Sequence, residues 1–197
     1  MTSTKEQEMR KLIESTFVSL DGVIDDTRPS TASRAEPQHW GQPYWDADHN
    51  GYVGGLMAGS DAALMGRLTY EGFAEAWSSR EGPEADVFNN GRKYVASRTL
   101  TEVTWNNSVL LQGDVAEEVA KLKAEPGGNI LKWGTGELDR TLVEHGLVDE
   151  FHFWYYPVIV GAGKHLFEGA GFDTTHLKLA DINRFDSGIV VHIYVPK

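Results

Sequence analysis

At 197 residues, with 41% hydrophobic and 11% aromatic content, the chain has enough apolar area for one well-buried domain and too little length for two ordinary ones. A formal charge of -11 without any run of Lys or Arg excludes nucleic acid as a partner, because phosphate backbones are held by clustered cations, so an anionic ligand needs local recognition. The lack of cysteine excludes disulfides and thiolate metal sites and fits a reducing, cytoplasmic setting, and no apolar run has the length of a membrane span.

Residues 1–9 are polar and aperiodic and read as a loose leader to one domain at 10–197. The segment 11–24, KLIESTFVSLDGVI, is a strand with its exit at Asp21-Gly22. Pro29, Pro37 and Pro43 make 25–44 a surface excursion rather than a regular element. A helix is expected over 46–58, with Tyr52, Val53, Leu56 and Met57 on its apolar face, then a buried strand at 62–65 ended by Gly66. Thr69 can cap a helix running to Ala76, and a short helix at 86–90 precedes a strand at 93–97 and another at 109–111.

Asp114 and Glu117 form a capping box for a helix whose Val115, Val119 and Leu122 share one face, with Glu117 paired to Lys121. After the break at Gly127-Gly128 come a strand at 129–133 and a helix carrying Leu138, Leu142 and Val143, which Thr135 can cap and Gly146 stops. The nearly continuous apolar run 149–160 suits a strand covered on both faces, and two strands follow at 177–182 and 189–195. Alternating strands and helices followed by a strand-rich end imply an α/β fold, its central sheet mostly parallel with an antiparallel C-terminal edge.

Three turns follow predicted strands: Gly66-Arg67 with Thr69, Ser97-Arg98, and Gly134-Thr135-Gly136. In an open α/β sheet such turns line the crevice at the strand C-termini, where helix N-termini offer free N–H groups to phosphate. Equally, each glycine can merely end a strand. Neither a complete GxGxxG nor a Walker loop is present, so a Rossmann or P-loop assignment is excluded. Asp46, Asp48, His49 and Tyr52 are candidate proton donors or substrate contacts, with Asp48 and Tyr52 on one helix face; helix-end charges and core packing explain them as well. Phe151, Phe153, Trp154, Tyr155 and Tyr156 read as sheet core or a dimer face. Seven scattered histidines give no metal-ligand spacing.

The strings MGRLTYEGF at 65–73, SR at 97–98 and ILKWGTGELDRTLVEHGLVDEFHFWYYPVIVGAGKHLF at 130–167 resemble the dihydrofolate reductase-like superfamily. Within it the chain is similar to the branch of the C-terminal reductase domain of bacterial riboflavin-biosynthesis deaminase-reductases. The resemblance implies a three-layer fold with helices on both faces of the sheet, a homodimer, and NADPH-dependent reduction of a small heterocyclic substrate, as by 5-amino-6-(5-phosphoribosylamino)uracil reductase. It implies cofactor phosphate at Gly66, Arg67 and Thr69, the adenosine 2′-phosphate at Ser97 and Arg98, and the pyrophosphate at Gly134, Thr135, Gly136, Glu137 and Leu138. It further implies that Asp21-Gly22 lines the nicotinamide pocket, a pair that a structural turn explains equally well. The resemblance supplies no counterpart for a proton donor, and of the candidates on the helix from Asp46, Asp48 and Tyr52 are the expected catalytic side chains. The zinc deaminase half has no counterpart, since HxE and PCxxC are both missing. A cofactor-binding module without turnover and a dihydrofolate reductase-type activity are the alternative readings.

Overall fold

The computed structural model describes residues 9–25, 39–169 and 171–197. The leader expected at 1–9 lies outside them apart from Met9, as do residues 26–38 of the expected excursion. β1 (Leu12–Ser19) is buried along nearly its whole length, and Gly22 reverses the chain at φ +87° into β2 (Val23–Asp25). Residues 39–44 depart from the expected irregular loop. They form a 3-10 helix (His39–Tyr44) that buries Trp40 against Tyr156, so the area of one large aromatic outweighs the local Gly and Pro composition.

The helix α1 (Ala47–Ala58) starts at Asp46, whose side chain accepts the His49 N–H at 2.8 Å. β3 (Ser60–Gly66), α2 (Arg67–Trp77), α3 (Pro83–Asn90), β4 (Arg92–Ala96) and β5 (Ser108–Leu110) follow. α3 begins three residues before the expected 86, because Pro83 suits the first helical position. α4 (Val115–Ala124) is capped by Asp114, yet Lys121 pairs with Glu118 at 2.7 Å rather than with the expected Glu117. β6 (Asn129–Trp133) and α5 (Glu137–Glu144) agree with the expected elements.

Neither threonine caps its helix. α2 and α5 start from Gly66 and Gly136, which carry no side chain, so Thr69 lies inside α2 and Thr135 before α5. β7 (Glu150–Tyr156) ends four residues earlier than expected, at Pro157, which lacks the N–H to continue a ladder. The two-residue β8 (Lys164–His165) was not expected and pairs antiparallel with β2. β9 (Leu177–Arg184) and β10 (Val190–Pro196) close the chain.

The main sheet has the order β5-β4-β3-β6-β1-β7-β10-β9. The strands from β5 to β7 are mutually parallel, whereas β10 runs antiparallel to β7 and β9 antiparallel to β10. One face, through Leu12, Val18, Leu64, Ile130 and Phe153, packs against Val119 and Leu122 of α4 and Leu142 of α5. On the other, α1 covers Trp154, Tyr156 and Val191, and α2 with α3 covers Met65 and Val95. This is the expected three-layer α/β architecture.

Candidate functional site

β4, β3 and β6 are adjacent and parallel, so the turns that leave them emerge side by side along one edge. The turn after β6 is the most constrained. Gly134 sits at φ +72°, and a Cβ there would approach Thr69 Oγ1 to 3.2 Å, so the turns after β3 and β6 touch. Gly134 N–H is spent on the Ser15 carbonyl at 3.3 Å, and Gly136 N–H on the Asp139 carboxylate. Thr135, Glu137 and Leu138 make no such backbone bond among the described residues, and the Thr135 Oγ1 is buried without a partner. Three N–H groups and one hydroxyl without partners thus stand at the positive end of a helix, a donor set that fits a phosphate or pyrophosphate.

Cations stand around this edge. Arg98 forms an exposed ion pair with Glu137, which joins the turn after β4 to the start of α5. Ser97 holds the Arg98 turn by accepting the N–H groups of Thr99 at 3.1 Å and Leu100 at 2.9 Å. Arg67 is turned along α2 to Glu71 at 3.1 Å. Lys164, which sequence reasoning left aside, reaches over from β8, its Nζ 3.8 Å from where a Gly136 Cβ would stand. Only the β2–β8 pairing brings it there, and the sequence carries no signal of a two-residue strand.

Along β1 and β7 the same edge is differently furnished. Asp21 accepts Ser19 Oγ at 2.7 Å and the N–H groups of Val160 at 3.1 Å and Gly161 at 2.8 Å, which together hold its pKa at about 2. Its carboxylate thus ties the exit of β1 to the chain after β7. His49 is buried, stacks on Trp45 and lies 3.1 Å from the Tyr156 hydroxyl through Nε2, and burial lowers its pKa. Trp45 Nε1 donates to that hydroxyl at 3.2 Å.

Asp48 and Tyr52 come together elsewhere, on an open groove of about 670 Å³ along α1 that also touches Arg184 and Phe185. The groove runs past Gly59 and Asn129, beside the starts of β3 and β6, toward the edge opposite the glycine turns. The Tyr52 hydroxyl lies 3.3 Å from His152 Nδ1, and burial raises its pKa to about 12. His152 Nε2 in turn stands 3.0 Å from Glu150. Among the described residues no cluster of ligating side chains could hold a metal ion, and no helix is long and apolar enough to cross a membrane.

Residues 10–191 match the family model described as the RibD C-terminal domain. The Bacillus subtilis (strain 168) protein YyaP is 33% identical over 139 residues, covering 68% of this chain and 73% of its own length. YwjB of the same organism is 26% identical over 183 residues, covering 93% and 97%. A solved structure of a putative riboflavin biosynthesis protein from Shewanella sp. PV-4 superposes with a TM-score of 0.73 at 22% identity, over 95% of this chain and 99% of that one. A pyrimidine reductase-like protein from Corynebacterium diphtheriae gives 0.66 at 14% identity, over 100% and 95%. These two likenesses bear on fold, while the family model and the YyaP identity bear on descent. The chain belongs to the RibD C-terminal domain family.

Proposed function

We propose that the protein is an NADPH-dependent reductase of a small heterocyclic substrate, resembling 5-amino-6-(5-phosphoribosylamino)uracil reductase, and that it acts as a cytoplasmic homodimer. The observation that carries this reading is the opening of α5, where the N–H groups of Thr135, Glu137 and Leu138 and the buried Thr135 hydroxyl have no partner among the described residues. A pyrophosphate there is bound by backbone dipoles, which an acidic chain can supply without a basic surface. Gly66, Arg67 and Thr69 take the adjoining phosphate oxygens, Ser97 and Arg98 the adenosine 2′-phosphate, and Asp21 shapes the nicotinamide end by fixing the β1 exit. NADPH supplies the hydride. The accompanying proton comes from water, because Asp48 and Tyr52 line the groove that runs toward the edge opposite the glycine turns, away from a cofactor held at those turns.

The test is a titration with NADPH and with NADH, read through tryptophan fluorescence because Trp133 adjoins the turn. Tight NADPH and weak NADH binding is expected; no binding of either sinks the proposal. Loss of NADPH absorbance with the pyrimidine intermediate of riboflavin synthesis, and separately with dihydrofolate, then identifies the substrate. A binding module without turnover is the second reading. It is favoured by one observation: at the β1–β7 end of the edge Asp21, His49 and Tyr156 all have partners already. Steady oxidation of NADPH with either substrate rejects it.

A further inference from the structure

Beneath the α5 turn lies a set of charges that no step of the reduction uses. Glu14 of β1 and Lys132 of β6 are register partners in neighbouring parallel strands, and Asp139 comes down on them from the first turn of α5. All three are shut off from solvent, at 0%, 1% and 0% exposure. Lys132 Nζ stands 2.7 Å from Asp139 Oδ1 and 3.9 Å from Glu14 Oε2. Burial raises the Glu14 pKa well above its ordinary value, so Glu14 is the neutral member and Lys132 with Asp139 the ionised pair.

Buried ion pairs add little net stability, because desolvation offsets most of their attraction, so their presence asks for another reason. The polar atoms left over supply it. Lys132 Nζ donates to the Gly134 carbonyl, and the second oxygen of Asp139 accepts the Gly136 N–H. Both hydrogen bonds close on the two glycines that flank Thr135. Between them they fix Gly134 at φ +72° and Gly136 at φ −179°, and they draw one carbonyl and one N–H inward. The Thr135, Glu137 and Leu138 N–H groups of the same turn are left without a partner among the described residues.

We propose that Lys132 and Asp139, with Glu14 packed beside them, are positioning residues that hold the Gly134–Gly136 turn in the conformation that receives phosphate oxygens. The inference rests on the cofactor reading above for the identity of the ligand, but the turn geometry it concerns belongs to the free protein. The mechanism is preorganisation: donors held in place before binding lose no conformational entropy when the ligand arrives.

Two variants isolate the effect. Asp139→Asn and Asp139→Leu remove the same charge, and in both Glu14 can ionise to balance Lys132; only the asparagine keeps an oxygen for the Gly136 N–H. The expected result is an NADPH affinity within threefold of the parent for Asp139→Asn and at least tenfold weaker for Asp139→Leu, at similar thermal midpoints. Equal affinities for the two variants overturn the proposal, as does a loss in Asp139→Leu that the thermal midpoints of the two variants track in proportion. Amide hydrogen exchange at Gly136 without cofactor is the second measurement, slow in the parent and in Asp139→Asn and fast in Asp139→Leu. Should the parent fail to bind NADPH, the cofactor reading falls, whereas the exchange pattern still decides this one. Equal exchange in all three proteins overturns it.

Discussion

At Gly134 the backbone has left the region open to ordinary side chains, and the space beside it is filled by the Thr69 hydroxyl. Replacing Gly134 by alanine therefore costs twice, once for an unfavourable φ and once for pushing the α2 turn away. Gly134→Ala is expected to lower unfolding stability by about 1–2 kcal/mol in denaturant titrations, and to weaken NADPH more than that loss alone explains. Arg98 behaves in the opposite way. Its ion pair with Glu137 is exposed on both sides, at 83% and 85%, so it contributes almost nothing to folding. Arg98→Ala should leave the thermal midpoint unchanged and weaken NADPH far more than NADH; equal weakening of both would remove Arg98 from the 2′-phosphate site. Glycines and arginines in such turns are legible in a sequence because their chemistry is local. Glu14, Lys132 and Asp139 are not, since Glu14 alternates in β1 like any strand residue and gains its meaning only where β6 and α5 cross it.

At the level of elements, periodicity carried the helices and long strands, while short pairings depended on contacts distant in sequence. β2 and β8 meet only because the chain after β7 folds back over the exit of β1, and two features hold it there. Gly163 is one: a Cβ at this position would fall 2.3 Å from the Asp25 carbonyl. Asp21 is the other, anchoring Val160 and Gly161. Its pKa of about 2 lies below the ordinary 3.8, so its contribution to stability is complete above 3.8 and disappears as pH falls toward 2. Asp21→Asn should consequently be less stable than the parent in urea at neutral pH, and the gap should close as the buffer is taken through that window. A gap independent of pH would mean that the turn, not the carboxylate, holds the loop. The helix starts carry a related lesson. Thr69 and Thr135 look like caps in the sequence, yet glycine occupies both cap positions, and a helix start without a capping side chain keeps its N–H groups for a ligand.

The molecule as a whole has two sheet edges of unequal character. β5 offers three residues at one, whereas β9 offers eight at the other, a length of open strand that proteins usually protect. β9 is also apolar where alternation alone would not make it so. A register shift opposite Ile193 and Tyr194 leaves Leu179 across from Tyr194 and Ile182 across from His192, so both aliphatic side chains join one face, with Tyr155 across from Val190 further on. Leu179 and Ile182 are 45% and 40% exposed, and no helix covers them among the contacts of the described residues. Of the aromatic run read as core or dimer face, Phe151, Phe153, Trp154 and Tyr156 are core; Tyr155 alone is half-buried on this side. The proposed homodimer fits this edge, since joining two copies through it would satisfy the open strand and cover the aliphatic stripe at once. Two chains of charge -11 repel each other, so the association should strengthen as salt screens that repulsion. Light scattering at moderate salt should give twice the chain mass for the parent, and the single-chain mass for Leu179→Lys combined with Ile182→Lys. Because both side chains already face solvent in the single chain, the double variant should retain its fold and its NADPH affinity. A double variant that stays dimeric would move the interface away from β9, and a monomeric parent would end the dimer proposal.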